Sequence, residues 1–102
     1  AEDLTNPVVR SVILSLRDGD RKRFFAAFEP SAKLTDDGRP GLLTPWAERE
    51  LFLGHGRLEV ERESRAGLEL FGRFRSDQWD MPTVWRFHVV DGRFHRLDVA
   101  AL

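Results

Sequence analysis

The feature that most constrains this chain is a change of hydrophobic period half-way along it. Up to about Leu53 the apolar residues recur at helical spacing, and from Leu58 onward they alternate. Helices first and strands afterwards predict an α+β fold with the helices packed on one side of a sheet. Asn6-Pro7 reads as an N-cap and first helical position, and Val9, Val12, Ile13 and Leu16 then mark one helix face up to Gly19. Asp20 caps a second, short helix with Phe24, Ala27 and Phe28 on its apolar side, ended by Pro30. Ala32 to Thr35 reads as a short strand running into the turn signal Asp36-Asp37-Gly38, with Arg39-Pro40-Gly41 as loop. Thr44-Pro45 opens a third helix, from Trp46 to about Leu53, that Gly54 stops.

Four longer strands follow. Leu58 and Val60 alternate with Glu59 and Glu61; Leu70, Gly72 and Phe74 with Phe71 and Arg73; Trp85, Phe87 and Val89 with Arg86 and His88; Phe94 to Val99 is the last. They form an antiparallel meander with one apolar face. A loop at Arg65-Ala66-Gly67 puts Leu58 opposite Phe74, Val60 opposite Gly72 and Glu59 opposite Arg73. At the last hairpin two registers compete. A two-residue Asp91-Gly92 turn sets Trp85 against Asp98 and Phe87 against Arg96. A three-residue Val90-Asp91-Gly92 loop, with Gly92 at positive φ, sets Trp85 against Leu97 and Phe87 against His95. The second keeps the apolar residues together and is the expected one, with His95 and Arg62 facing inward.

Composition narrows the function classes. The 102 residues amount to one domain, read as residues 1–102. No stretch approaches the ~20 apolar residues of a membrane helix. The acidic start, Ala1-Glu2-Asp3-Leu4, lacks the marks of a signal peptide, so the expected location is cytoplasmic. Cysteine is absent, which removes disulfides, thiolate nucleophiles and Cys-ligated zinc. His55, His88 and His95 are dispersed, no phosphate-binding or dinucleotide loop is present, and neither a metal nor another cofactor is expected. The 14 Arg and 2 Lys are offset by 17 acids, which argues against nucleic-acid or membrane-surface binding by bulk charge.

Several strings in this order fit one family pattern. They are Ser15-Leu16-Arg17-Asp18-Gly19-Asp20 with Phe24-Phe25 and Phe28 downstream, Ala32-Lys33-Leu34-Thr35-Asp36-Asp37-Gly38, Trp85-Arg86-Phe87 and Asp91-Gly92-Arg93-Phe94. Over nearly its whole length the chain resembles the nuclear transport factor 2-like superfamily, which includes ketosteroid isomerases, scytalone dehydratase, SnoaL-type polyketide cyclases and many non-enzymes. The resemblance implies a cone-shaped half-barrel, three N-terminal helices on a curved antiparallel sheet, with a pocket between them. Dimerisation through the sheet is often found there. In the isomerases a general-base Asp ends the first strand, and Asp36 matches it. Their oxyanion Tyr falls near Val12 and their second Asp near Thr83 or Trp85, so the resemblance does not extend to steroid isomerisation.

Asp36 is the candidate general base, or else, with Asp37, a turn former. His95 is its candidate helper, or else a rim histidine. Trp46, Leu58, Val60, Phe74, Trp85, Phe87 and Leu97 either line an apolar ligand pocket or fill the cone as core. The outer sheet face is expected to carry Phe71, Arg73, Arg86, Phe94 and Arg96 and to pair with a second copy, with Arg86 and Arg96 opposite one another. The leading expectation is a dimer that binds a small apolar or aromatic molecule. The alternatives are a proton-transfer enzyme of isomerase, dehydratase or cyclase type using Asp36, and a non-catalytic dimeric module with a filled core.

Overall fold

The computed structural model describes residues 3–102; the acidic start read at Ala1 and Glu2 lies outside them. Helix α1 spans Pro7–Asp18, with the Asn6 side chain accepting from the Val8 and Val9 amides and Gly19 closing it in the left-handed conformation. Its buried residues include Val9, Val12, Ile13 and Leu16, the expected face. Helix α2 is Arg21–Ala26, capped by Asp20. Strands β1 (Phe28–Asp36) and β2 (Arg39–Leu42) come next, then α3 (Leu43–Ala47). A π-helical segment, Glu48–Leu53, continues α3. Strands β3 (Arg57–Ser64), β4 (Glu69–Arg75), β5 (Asp80–Val90) and β6 (Arg93–Ala101) complete the chain.

The six strands form one sheet in the order β2-β1-β6-β5-β4-β3. The helices cover one face of it, as expected for an α+β cone. Several elements depart from expectation. Phe28 begins β1 rather than ending α2, because the chain pairs there with β6 through Phe94. Residues 39–41, expected as loop, belong to β2. Asp37 and Gly38, at φ 52° and 85°, make a two-residue turn whose twist suits a hairpin. Pro40 is tolerated because β2 is an edge strand. β1 lies parallel to β6, so the sheet is mixed. The third helix starts at Leu43, and its cap position, Leu42, makes no side-chain hydrogen bond.

The β3–β4 register is the expected one at Leu58–Phe74, Glu59–Arg73 and Val60–Gly72. A bulge between Val60 and Arg62 then turns Arg62 outward, opposite Phe71, with its guanidinium 3.9 Å from that ring's centre. The last hairpin corrects the expected register. Its turn is the short one: Asp91 and Gly92 sit at φ 51° and 77°, and Val90 pairs with Arg93. A bulge at His95 then shifts β6 by one residue, so Phe87 faces Leu97, Trp85 faces Val99 and Arg86 faces Asp98. Without that extra residue Phe87 and Trp85 would have met charged partners. The bulge keeps apolar side chains together, so the short turn meets the same packing requirement as the longer loop.

The core divides along the cone. At its closed end Phe24, Phe28, Phe87 and Phe94 cluster in tilted and edge-on contacts, with ring centres 4.9 Å apart for Phe87–Phe94 and 5.1 Å for Phe24–Phe28. Toward the open end Trp85, fully buried, touches Phe74 and Trp46 with ring centres 6.1 and 6.2 Å away.

Candidate functional site

A cavity of about 390 Å³ opens at the wide end of the cone. The ends of β1, β4, β5 and β6 and the α3–π segment form its walls. Trp46, Trp79 and Trp85, the chain's three tryptophans, all line it, with Phe74 and Met81. The π-helical segment widens the helical turn and brings Arg49 and Glu50 to the same mouth as Trp46. Such segments recur at functional sites.

Asp36, the last residue of β1, supplies a half-buried carboxylate of the wall, as does Glu50. Its Oδ2 accepts a hydrogen bond from Trp46 Nε1 at 3.0 Å. The turn role falls to Asp37 instead: its Oδ1 accepts from the Ala101 amide at 2.7 Å and its own amide donates to the Val99 carbonyl. Under the floor, Trp85 Nε1 donates to Thr83 Oγ1, which donates to the Gly72 carbonyl, both at 3.1 Å. Glu50 pairs with Arg49 at 2.8 Å. Trp79, about half exposed, rides on the β4–β5 loop, where Ser76 Oγ accepts from the Gln78 and Trp79 amides. Among the described residues no group of His, Asp and Glu converges as metal ligands.

With this geometry in view, the comparisons with known proteins are informative about fold. No protein-family model matches the chain, and no curated protein matches it. Solved structures do. An NTF2-like protein of unknown function from Cytophaga hutchinsonii superposes at a TM-score of 0.80 and 11% identity, over 93% of this chain and 87% of that one. The fold is that of the nuclear transport factor 2-like proteins. TerC, co-crystallised with polyporic acid, superposes at 0.71 and 15% identity, over 93% of this chain and 88% of that one. The Orange Carotenoid Protein of Anabaena, binding canthaxanthin, superposes at 0.74 and 17% identity, with 99% of this chain covering 38% of that one.

The structure brings only some of the expected site residues together. Asp36, Trp46, Phe74 and Trp85 share the cavity. Phe87 and Leu97 do not reach it; both are buried in the filled part of the cone. Leu58 and Val60 border a separate cleft of about 380 Å³ between α1 and β3. His95 is placed on the opposite face of the sheet from Asp36. The β6 bulge turns it outward beside His88, with ring centres 6.1 Å apart, so it is no partner for Asp36. Trp79 and Met81 were missed; an aromatic residue in the polar run Ser76-Asp77-Gln78-Trp79-Asp80 was the available signal.

The outer face also needs correction. Phe94 is 1% exposed and belongs to the core, because the short turn starts β6 in the opposite phase. Arg86 and Arg96 are not opposed. Arg86 lies across from Asp98 and pairs with Glu69, while Arg96 lies across from His88 and donates to Asp98 Oδ1 at 2.8 Å. Burial opposes ionisation of Asp98, but hydrogen bonds from Thr35, Arg96 and His88 together outweigh it and hold the carboxyl below its usual range. Glu69 is lowered too, by hydrogen bonds from Ser64 and Arg86. Arg73 is likewise held within the chain, by Asp80.

Proposed function

We propose that this chain binds a small aromatic or largely apolar molecule in the open end of its cone. The observation that carries the proposal is the 390 Å³ cavity, walled by all three tryptophans around the half-buried Asp36 carboxylate, which has no ion pair among the described residues. An apolar cavity of about 150 Å³ suffices for benzene, so this space suits a molecule of two or three fused rings. Asp36 would orient it by accepting a hydrogen bond from a ligand donor. The fold is compatible with such a role, since TerC was co-crystallised with polyporic acid and the Anabaena carotenoid protein, of which this chain covers 38%, binds canthaxanthin.

Titration with a panel of bicyclic and tricyclic aromatics, followed by tryptophan emission and thermal shift, tests the proposal. Binding that is weakened about tenfold by Trp79→Ala, at unchanged melting temperature, supports it. No response from any panel member at millimolar concentration overturns it. Proton transfer is the second proposal, favoured by Asp36 facing the cavity; it now rests on that carboxylate alone, and an Asp36→Asn variant with undiminished turnover would remove it. Self-association through the outer sheet face is proposed with Phe71, Arg73, Arg86 and Arg96 at the contact, and light scattering at micromolar concentration tests it.

A further inference from the structure

The charge around the cavity narrows the ligand class. This step rests on the proposed binding role of the same cavity. Asp36 makes one hydrogen bond, to the neutral indole of Trp46, and no ion pair among the described residues. Its Oδ1 has no partner among the described residues. The basic residues at the mouth do not neutralise it. Arg49 is engaged by the neighbouring Glu50 at 2.8 Å. Arg39 lines the same cavity and is opposite Asp36 in the β1–β2 register, yet its side chain is exposed and forms no ion pair with it among the described residues. A half-buried carboxylate therefore faces the cavity with no ion pair among the described residues, and with Asp37 and Glu50 the acids of the lining outnumber its arginines, Arg39 and Arg49.

The walls beside it suit a cation as well. The indole faces of tryptophan carry negative potential and attract ammonium groups more strongly than other aromatic side chains do. Trp46 donates its N–H to the carboxylate, which polarises the ring further in that sense. Trp79 offers a half-exposed ring at the rim. We infer that the ligand of this cavity is an amine cation on an aromatic body, its ammonium group seated between Asp36 Oδ1 and the Trp46 and Trp79 rings. An anionic isostere would meet Asp36 as a like charge, and a neutral one would forgo both the ion pair and the ring contacts.

The test uses three probes of one shape: 1-naphthylmethylamine, 1-naphthalenemethanol and 1-naphthoic acid, at neutral pH. Each is titrated into nitrogen-15-labelled protein. The three indole N–H signals, one for each tryptophan, report on the cavity. The expected result is that the amine shifts the Trp46 and Trp79 signals and binds about tenfold or more tighter than the alcohol, with the acid weakest. Asp36→Asn retains an acceptor for the Trp46 indole, and there the preference for amine over alcohol should vanish. Arg39→Glu, an exposed change, should strengthen that preference. Equal binding of amine and alcohol, or preference for the acid, overturns the cationic class while leaving the cavity as a binding site. Failure of all three to move any indole signal overturns the binding role and this inference together.

Discussion

Replacing Thr83 by Val removes one hydroxyl from beneath the cavity and changes little in shape. Thr83 is 3% exposed, and its hydroxyl accepts from the indole of Trp85, which is fully buried. The same hydroxyl donates to the Gly72 carbonyl. The substitution strands the Trp85 N–H away from water, which costs about 1–3 kcal/mol, and loses the bond to Gly72, about 0.5–1.5 kcal/mol. The extra buried methyl returns up to about 0.8 kcal/mol. The net expectation is a loss of about 1–4 kcal/mol. With a urea m-value of about 1–1.5 kcal/mol/M for a small domain, the midpoint falls by roughly 1–4 M. Equilibrium unfolding followed by tryptophan emission measures this directly. Trp85→Phe in the Thr83→Val background should cost less than Trp85→Phe alone, because the stranded donor is gone. A Thr83→Val loss below about 0.5 kcal/mol at unchanged m would refute the claim that this hydroxyl satisfies Trp85.

Three further outcomes are expected. Because the Asp98 pKa is depressed in the folded state, its stabilising contribution is present above the ordinary carboxylate range, near pH 4, and is lost as pH falls through the folded value; Asp98→Asn should flatten the acid limb of a stability–pH curve, and an unchanged limb would count against the Thr35–Arg96–His88 cluster. A Cβ added at Gly72 would lie 2.3 Å from the Glu59 carbonyl oxygen, so Gly72→Ala should cost about 1–3 kcal/mol or more in chemical denaturation, and a neutral result would mean that β3 and β4 part easily there. Asn6→Ala should cost about 1 kcal/mol by removing the acceptor of two α1 amides, and a smaller loss in Asn6→Asp than in Asn6→Ala is the check that capping is the cause.

What the sequence by itself determined was local. The helical face of Val9, Val12, Ile13 and Leu16, the caps at Asn6 and Asp20, and the pairing of Leu58 with Phe74 follow from spacing and turn chemistry that act within a few residues. The family resemblance, carried by strings spread over the chain, supplied the cone and placed Asp36 at its mouth. Tertiary structure decided the rest. Whether Asp91-Gly92 is followed by a regular ladder or by a bulge depends on which side chains meet β6 from β5 and β1, and the clustered Phe28, Phe87 and Phe94 settle it. That single extra residue carries His95 to the outer face and separates it from Asp36. The division between filled and open cone is equally non-local. Phe87 and Trp85 have the same alternation in sequence, but Phe87 meets Phe28 and Phe94 while Trp85 underlies the cavity. Alternation along a strand reports which face a side chain takes. It carries no information about how far the opposing helices stand from that face, and this distance decides whether a residue is core or wall.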